Sequence, residues 1–378
     1  MSIRKRTWET TDGPKTAWVV DYKDQARKRR LKTFDRQKDA RAWWEGHAAH
    51  EIKQGTHTPE SKSITVNEAA DIWLRYLEVE GRERSTLAQY RTNVDLHIAP
   101  RIGGVKLANL TTPRVQKFRD DLLANLSRVL AAKVLTALKS LLKHAMTTGH
   151  VAQNVASPVT ITTTKRQKLK SRLRVGVDIP TPSEVTDIIN AASDRWRPLI
   201  VTAAFTGMRL SELRGLTWGH IDFKAGVIHV RQRADKWGTI GPVKSEAGER
   251  DVPLLPVVKN TLREWKLRCP AGDLNLVFPS NTGSVHLQAN IYRRGFGDAQ
   301  KRCGLVDEEG RQRYSVHAFR HFFASWLIAN NFPAKRIQNW IGHSSIVMTY
   351  DTYGHLFPAD DEADAARLAR LQQTLIRA

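Results

Sequence analysis

Six residues in the C-terminal half of the sequence are of types that can handle a phosphodiester: Arg209, Lys244, His317, Arg320, His343 and Tyr353. A guanidinium grips phosphate oxygens with a planar fork, lysine and histidine carry protons, and an activated phenol is a nucleophile. Arg209 sits in Thr206-Gly207-Met208-Arg209-Leu210-Ser211-Glu212-Leu213, where Gly207 permits a tight turn and Glu212, three residues on, can brace the guanidinium. Lys244 lies between Gly241-Pro242-Val243 and Ser245-Glu246-Ala247-Gly248, an arrangement that predicts a β-hairpin tip. His317-Ala318-Phe319-Arg320 spaces a histidine and an arginine one helical turn apart on one face. His343 follows Gly342 after a helix predicted over residues 333–341, and Tyr353 lies ten residues beyond it, with Tyr350 as a nearby competitor. Each segment is ordinary alone: an Arg near a Glu is usually a surface ion pair, and a loop lysine is usually solvated.

The elements that must position these residues follow from composition and pattern. A chain of 378 residues with 41% hydrophobic content can bury a core and exceeds the usual size of one domain. Sixty Lys and Arg against 38 Asp and Glu leave a net charge of +22, enough to bind a polyanion through counterion release. Charge makes nucleic acid the leading partner without implying catalysis. The two cysteines, Cys269 and Cys303, suggest neither a disulfide framework nor a thiolate metal site. No long apolar run or apolar leader occurs, so the expected compartment is reducing cytosol, with no membrane partner. With no P-loop and no carboxylate cluster spaced for magnesium, no cofactor is expected.

Alternating residues over 3–8, 17–22 and 30–34 predict three strands, followed by a helix over about 38–53. Residues 1–60 are therefore expected to form a small sheet domain whose Arg4, Arg6, Arg30 and Lys32 can face a DNA groove. A capping box at Thr65-Val66-Asn67-Glu68 and further starts near Ser85, Thr112-Pro113 and Ser127 predict an all-helical domain over 63–160. The segment 161–178 reads as a basic linker, with Lys165, Arg166, Lys168 and Lys170 available to track a phosphate backbone. A second capping box, Thr181-Pro182-Ser183-Glu184, opens a mixed domain over 179–378 with a strand-rich middle. The fold class expected is multidomain α+β, with a three-stranded sheet and helix, an all-α domain, and a mainly-α domain holding a small antiparallel sheet. After Pro358 an acidic start, Asp360-Asp361-Glu362, precedes a short amphipathic helix with Leu368, Leu371, Leu375 and Ile376.

In sequence, the segments TGMRLSEL, PVKSEAGERDVPL, HAFRHFFASWL and WIGHSSIVMTYDTYGHLFP resemble, one after another, the signature of tyrosine recombinases of the phage-integrase kind. The helical region before them is similar to that family's core-type DNA-binding domain, and the N-terminal sheet to its arm-type-binding domain. The resemblance implies Arg209, Lys244, His317, Arg320 and His343 as active-site residues, supported by Glu212. It implies Tyr353 as nucleophile, because the family's usual spacing from the histidine fits Tyr353 better than Tyr350.

On that reading Arg209 and Arg320 hold the non-bridging oxygens, and His343 donates a further hydrogen bond. Lys244 protonates the departing 5′ oxygen, and His317 helps to accept the tyrosine proton. A 3′-phosphotyrosine would conserve the ester's free energy, so that rejoining needs no ATP. The implied partners are double-stranded DNA attachment sites, three further copies in a DNA-bound homotetramer, a host DNA-bending protein and an excisionase. The C-terminal helix would then dock on a neighbouring subunit. The integrase of a phage, prophage or genomic island is the expected role. A type IB topoisomerase and a catalytically inactive DNA-binding relative are the alternatives.

Overall fold

The computed structural model describes residues 1–11, 13–23, 28–45, 63–162 and 172–357, with four single positions between 366 and 372. The basic linker residues Lys165, Arg166, Lys168 and Lys170 lie outside the described residues, as does the second half of the helix expected over 38–53. The C-terminal helix falls outside them too, apart from those single positions. The chain divides into two compact units, Met1–Thr163 and Thr164–Ala378.

The first unit opens with an antiparallel sheet of β1 (Ser2–Thr10), β2 (Gly13–Lys23) and β3 (Arg29–Phe34), in that order, and helix α1 (Gln37–Trp43). Val20 and Tyr22 of β2 are buried with Ala40 of α1, and Trp43 packs 5.4 Å from the Tyr22 ring. The pairing register separates the four cations expected to share a groove-facing surface. Arg4 and Arg6 pair with Val19 and Ala17, whereas Arg30 and Lys32 pair with Tyr22 and Val20. Paired residues point to the same side and successive residues to opposite sides, so two cations lie on the face opposite α1 and two on the face that α1 covers. Lys32 places its ammonium 4.9 Å from the Trp43 ring.

The remaining described residues of this unit are mainly helical. Helix α2 (Val66–Val79) starts at Thr65, whose hydroxyl accepts from the Glu68 N–H while Glu68 accepts from the Thr65 N–H, closing the expected capping box. After α3 (Arg84–Asn93) and α4 (Thr112–Asn125), the Ser127 hydroxyl caps α5 (Arg128–Thr147). Trp73 and Leu77 of α2, Phe118 and Leu122 of α4, and Val134, Leu138 and Leu142 of α5 share one core.

The second unit begins at α6 (Pro182–Ala191), again behind a full capping box from Thr181 and Glu184. Helix α7 (Arg197–Thr206) runs through the core to α8 (Leu210–Gly215). Strands β4 (Ile221–Asp222), β5 (Val227–Val230) and β8 (Arg250–Pro253) form one small antiparallel sheet. Strands β6 (Gln232–Ala234) and β7 (Ile240–Pro242) form a separate hairpin. Helices α9 (Pro256–Lys266), α10 (Val316–Ala329), α11 (Ala334–Ile341) and α12 (Ile346–Tyr353) follow, with a further helical stretch over 288–302 between α9 and α10. Among the described residues no helix is long and apolar enough to cross a membrane.

Leu138 is fully buried in the first unit. Leu138→Ala is expected to cost about 2–5 kcal/mol through lost burial and an unfilled cavity, read as a lower urea midpoint of the full chain.

Candidate active site

The second unit gathers Arg209, His317, Arg320 and His343 around two buried groups, Glu212 and Tyr353. Helix α7 ends at Gly207, whose left-handed φ of 60° turns the chain into α8. Arg209 then stands at the N-cap of α8, where its backbone N–H donates to Glu212 Oε2 at 2.9 Å and its Nη1 donates to Oε1 at 2.9 Å. Glu212 is 2% exposed, and its carboxylate also accepts Arg250 Nη1 at 3.1 Å and Nη2 at 2.8 Å. Burial pushes the Glu212 carboxyl up, but the charges and hydrogen bonds of Arg250 and Arg209 outweigh it, leaving the group below its usual range. The carboxylate is thus ionised and shared by two guanidiniums.

Two left-handed glycines supply the remaining anchors. Gly207 offers its carbonyl to Arg320 Nη1 at 2.8 Å, and Gly342, with φ 66° after α11, offers its carbonyl to Arg209 Nη2 at 2.9 Å. A Cβ on Gly207 would meet Phe323 at 2.6 Å, and one on Gly342 would meet the Ala247 carbonyl at 2.9 Å. Both positions therefore need glycine for conformation and for space. Arg320 is 2% exposed, and its Nη2 is buried with no hydrogen-bond partner among the described residues. Its pKa is lowered by burial and by the charge of Arg209.

Helix α10, capped by the Ser315 hydroxyl, carries His317, Arg320 and His321. The His317 and His321 rings meet edge to face at 4.6 Å. His343, just after Gly342, bonds Thr349 Oγ1 through Nδ1 at 3.1 Å. Burial, with the positive charge of Arg320 and Arg209, lowers the pKa of His317 and brings that of His343 to about 4. For His321, burial and then His317 and Arg320 have the same effect, again to about 4. All three rings are accordingly neutral near pH 7.

Tyr353, the last residue of α12, is 0% exposed and packs with Phe323, Leu327, Ile337 and Ile341. Its ring lies parallel to that of His343 with centroids 6.2 Å apart. Its hydroxyl is 2.8 Å from His321 Nδ1. Burial raises the phenol to about 12, against the opposing pull of Arg320 and Arg209. Tyr350 is 53% exposed, with its ring beside Phe357. Of the two tyrosines, Tyr353 is the one that stands among the arginines and histidines.

Lys244 departs from expectation. The hairpin turn belongs to Trp237-Gly238, between β6 and β7, whereas Lys244 stands exposed in the loop after β7, just before the short turn Glu246–Gly248. The reason is pairing: β7 turns back onto β6, while β8 pairs with β5 in the other sheet.

Two residues were not singled out in the sequence. His321 sits four positions after His317, a spacing that puts both on one helix face. Arg250 alternates with buried Val252 on β8, the pattern of an inward-facing position. Arg250 also donates from Nε to the Trp340 carbonyl at 2.7 Å, tying β8 to α11.

Replacing Glu212 by Gln leaves the buried Arg250 and the partly exposed Arg209 under-compensated, and is expected to cost roughly 3–5 kcal/mol in urea unfolding at pH 7. Because Glu212 has a depressed folded pKa, its contribution is present above its ordinary value of 4.5 and is lost as pH falls through the lower folded value. The acid-side decline of the wild type should therefore be shallower in Glu212→Gln.

Comparison with known proteins agrees with this architecture. Residues 180–359 match the model of the phage integrase family, and residues 65–123 match that of the phage integrase N-terminal SAM-like domain, together well over half of the chain. A tyrosine recombinase XerC-like protein of Caldanaerobacter subterraneus subsp. tengcongensis is 25% identical over 324 residues, covering 79% of this chain and 81% of its own. A putative prophage phiRv2 integrase of Mycobacterium tuberculosis is 25% identical over 355 residues, covering 90% and 89%. Among solved structures, the Tn1549 transposon integrase with transposon right end DNA superposes with a TM-score of 0.65 at 21% identity, over 82% of this chain and all of that one. A lambda integrase dimer bound to a core site gives 0.60 at 19% identity, over 91% and 93%. The structural matches carry the fold, and the family models and sequence relatives carry the assignment. The chain belongs to the tyrosine recombinase family of phage integrases.

Proposed function

We propose that this chain is a site-specific DNA recombinase that cleaves and rejoins strands through a 3′-phosphotyrosine on Tyr353, integrating and excising a mobile element. The observation that carries the reading is the Arg320 Nη2, a buried donor without an acceptor among the described residues, beside a buried tyrosine in the field of two arginines. A buried donor needs an acceptor, and a phosphate non-bridging oxygen supplies one together with compensating charge.

In this reading a scissile phosphate lies between Arg209 and Arg320, whose guanidiniums stabilise the charge that grows in the transition state. His343 and His317, neutral near pH 7, donate hydrogen bonds to the phosphate oxygens. The Tyr353 oxygen attacks phosphorus, the bond to the 5′ oxygen breaks, and Lys244 protonates that leaving oxygen. Attack by a 5′ hydroxyl on the phosphotyrosine reverses the sequence. Duplex attachment sites are the substrate, and four copies on two duplexes are the working assembly, with bending and excision factors as accessory partners. The net charge of +22 supports the duplex partner through phosphate contacts. Relatives named as recombinases and integrases favour strand exchange over simple relaxation.

The test is capture of a covalent adduct on a nicked duplex spanning the junction between the gene's own element and host DNA. Tyr353→Phe is expected to abolish the adduct and keep DNA binding, and Tyr350→Phe to keep both; the reverse pattern would overturn the assignment. Lys244→Ala should slow cleavage by about 10²–10⁴-fold, the usual span for losing a general acid. A 5′-bridging phosphorothiolate, whose thiolate leaves without a proton, should restore that variant's rate.

A further inference from the structure

The phenol of Tyr353 has one hydrogen-bond partner that the reading above leaves without a role. His321 Nδ1 lies 2.8 Å from Tyr353 Oη, within proton-transfer distance, and the two rings meet near edge to face with centroids 5.7 Å apart. His317, which the sequence suggested for the tyrosine proton, instead sets its ring edge to face against His321 at 4.6 Å. We propose that His321 takes the proton from Tyr353 as its oxygen attacks phosphorus, and returns it when the tyrosine departs. The proposal rests on Tyr353 being the nucleophile.

The step balances without a co-reactant. The Oη–H bond breaks and an Nδ1–H bond forms, while Oη bonds to phosphorus and the P–O5′ bond breaks. The 5′ oxygen takes a separate proton from Lys244. The enzyme holds an imidazolium at His321 until rejoining, when the departing phenolate recovers that proton.

Three physical features suit His321 to this step. It is near the nucleophilic atom before DNA arrives, so no reorganisation is needed to set the proton's path. It is uncharged near pH 7, held so by burial, by His317 and Arg320 on its own helix, and by His343 across from it, with Asp178 pulling the other way. A neutral ring that carries its proton on Nε2 has the Nδ1 lone pair available to the phenol. The low basicity that keeps the ring neutral opposes full transfer in the resting protein, where the phenol is raised to about 12. That opposition falls as Oη bonds to phosphorus, because an aryl phosphate ester oxygen holds a proton far less tightly than a phenolate. The bound phosphate's negative charge also stabilises the imidazolium. Proton transfer is thereby coupled to attack, and the buried phenol is not ionised in the absence of DNA.

The experiment compares His321→Ala, His321→Asn, His317→Ala and Tyr353→Phe in the full chain. Each is measured on the same nicked junction duplex with a normal phosphate and with a 5′-bridging phosphorothiolate. Asparagine keeps a hydrogen-bonding group near the position of Nδ1 and lacks its basicity. Both His321 variants are expected to form adduct about 10²-fold or more slowly on both duplexes, since the sulfur leaving group bypasses the acid and not the base. DNA binding and the thermal midpoint should stay close to wild type. If His321→Asn cleaves like wild type, His321 only positions the phenol and the proposal fails. It also fails if His317→Ala alone gives the loss that sulfur does not rescue. Adduct formation by Tyr353→Phe would instead sink the nucleophile assignment. A wild-type solvent deuterium effect on the phosphorothiolate duplex is expected as well, and it needs no variant; rates equal in both solvents would overturn the proton step.

Discussion

A single buried carboxylate organises the second unit. Glu212 sits in the core with four guanidinium and backbone donors on its two oxygens, drawn from α8 itself and from β8. An ionised carboxylate in that position is tolerable because it is shared by two cations, and the buried Arg250 is tolerable because it has that carboxylate as its partner. The consequence is geometric. Arg209 cannot swing into solvent without withdrawing one of the two cations that Glu212 shares, and Arg250 fastens β8 to the carbonyl of Trp340 at the end of α11. The small sheet, the turn before α8 and the loop bearing His343 are therefore held by one charge cluster.

The two left-handed glycines extend that frame into the active site. Each ends a helix, and each presents its carbonyl to one of the two arginines, Gly207 to Arg320 and Gly342 to Arg209. The cross-connection means that the turn after α7 aims the arginine of α10, and the turn after α11 aims the arginine of α8. A helix terminus has carbonyls to spare, and a guanidinium has more donors than one carboxylate can use, so each satisfies the other. Among the described residues, Nη2 of Arg320 is left buried without a partner.

The electrostatics of the pocket are those of an enzyme at rest. Clustered positive charge and burial keep the three histidines neutral, and burial keeps the phenol protonated. A buried guanidinium donor without a partner among the described residues, near a protonated phenol, favours an incoming anion over any internal rearrangement. Phosphate binding would supply the missing charge and lower the cost of each later proton movement.

The sequence alone determined much of this. Both capping boxes, at Thr65 and Thr181, and the Ser127 cap were legible because they depend only on residues three positions apart. The helical face shared by His317 and Arg320 was legible for the same reason, and the family resemblance rested on the order of four local segments. Tertiary structure decided what depends on contacts distant in the chain. Strand register, not composition, put Arg4 and Arg6 on a different face from Arg30 and Lys32. Pairing of β7 with β6 and β8 with β5 took the hairpin tip away from Lys244. Arg250 became part of the site across 38 residues of chain, and His321 met Tyr353 across 32. The choice between Tyr350 and Tyr353 was of the same kind. Spacing suggested it, but only folding buries one phenol among charged and titratable groups and leaves the other facing solvent, because helix periodicity says which residues share a face and not what that face will meet.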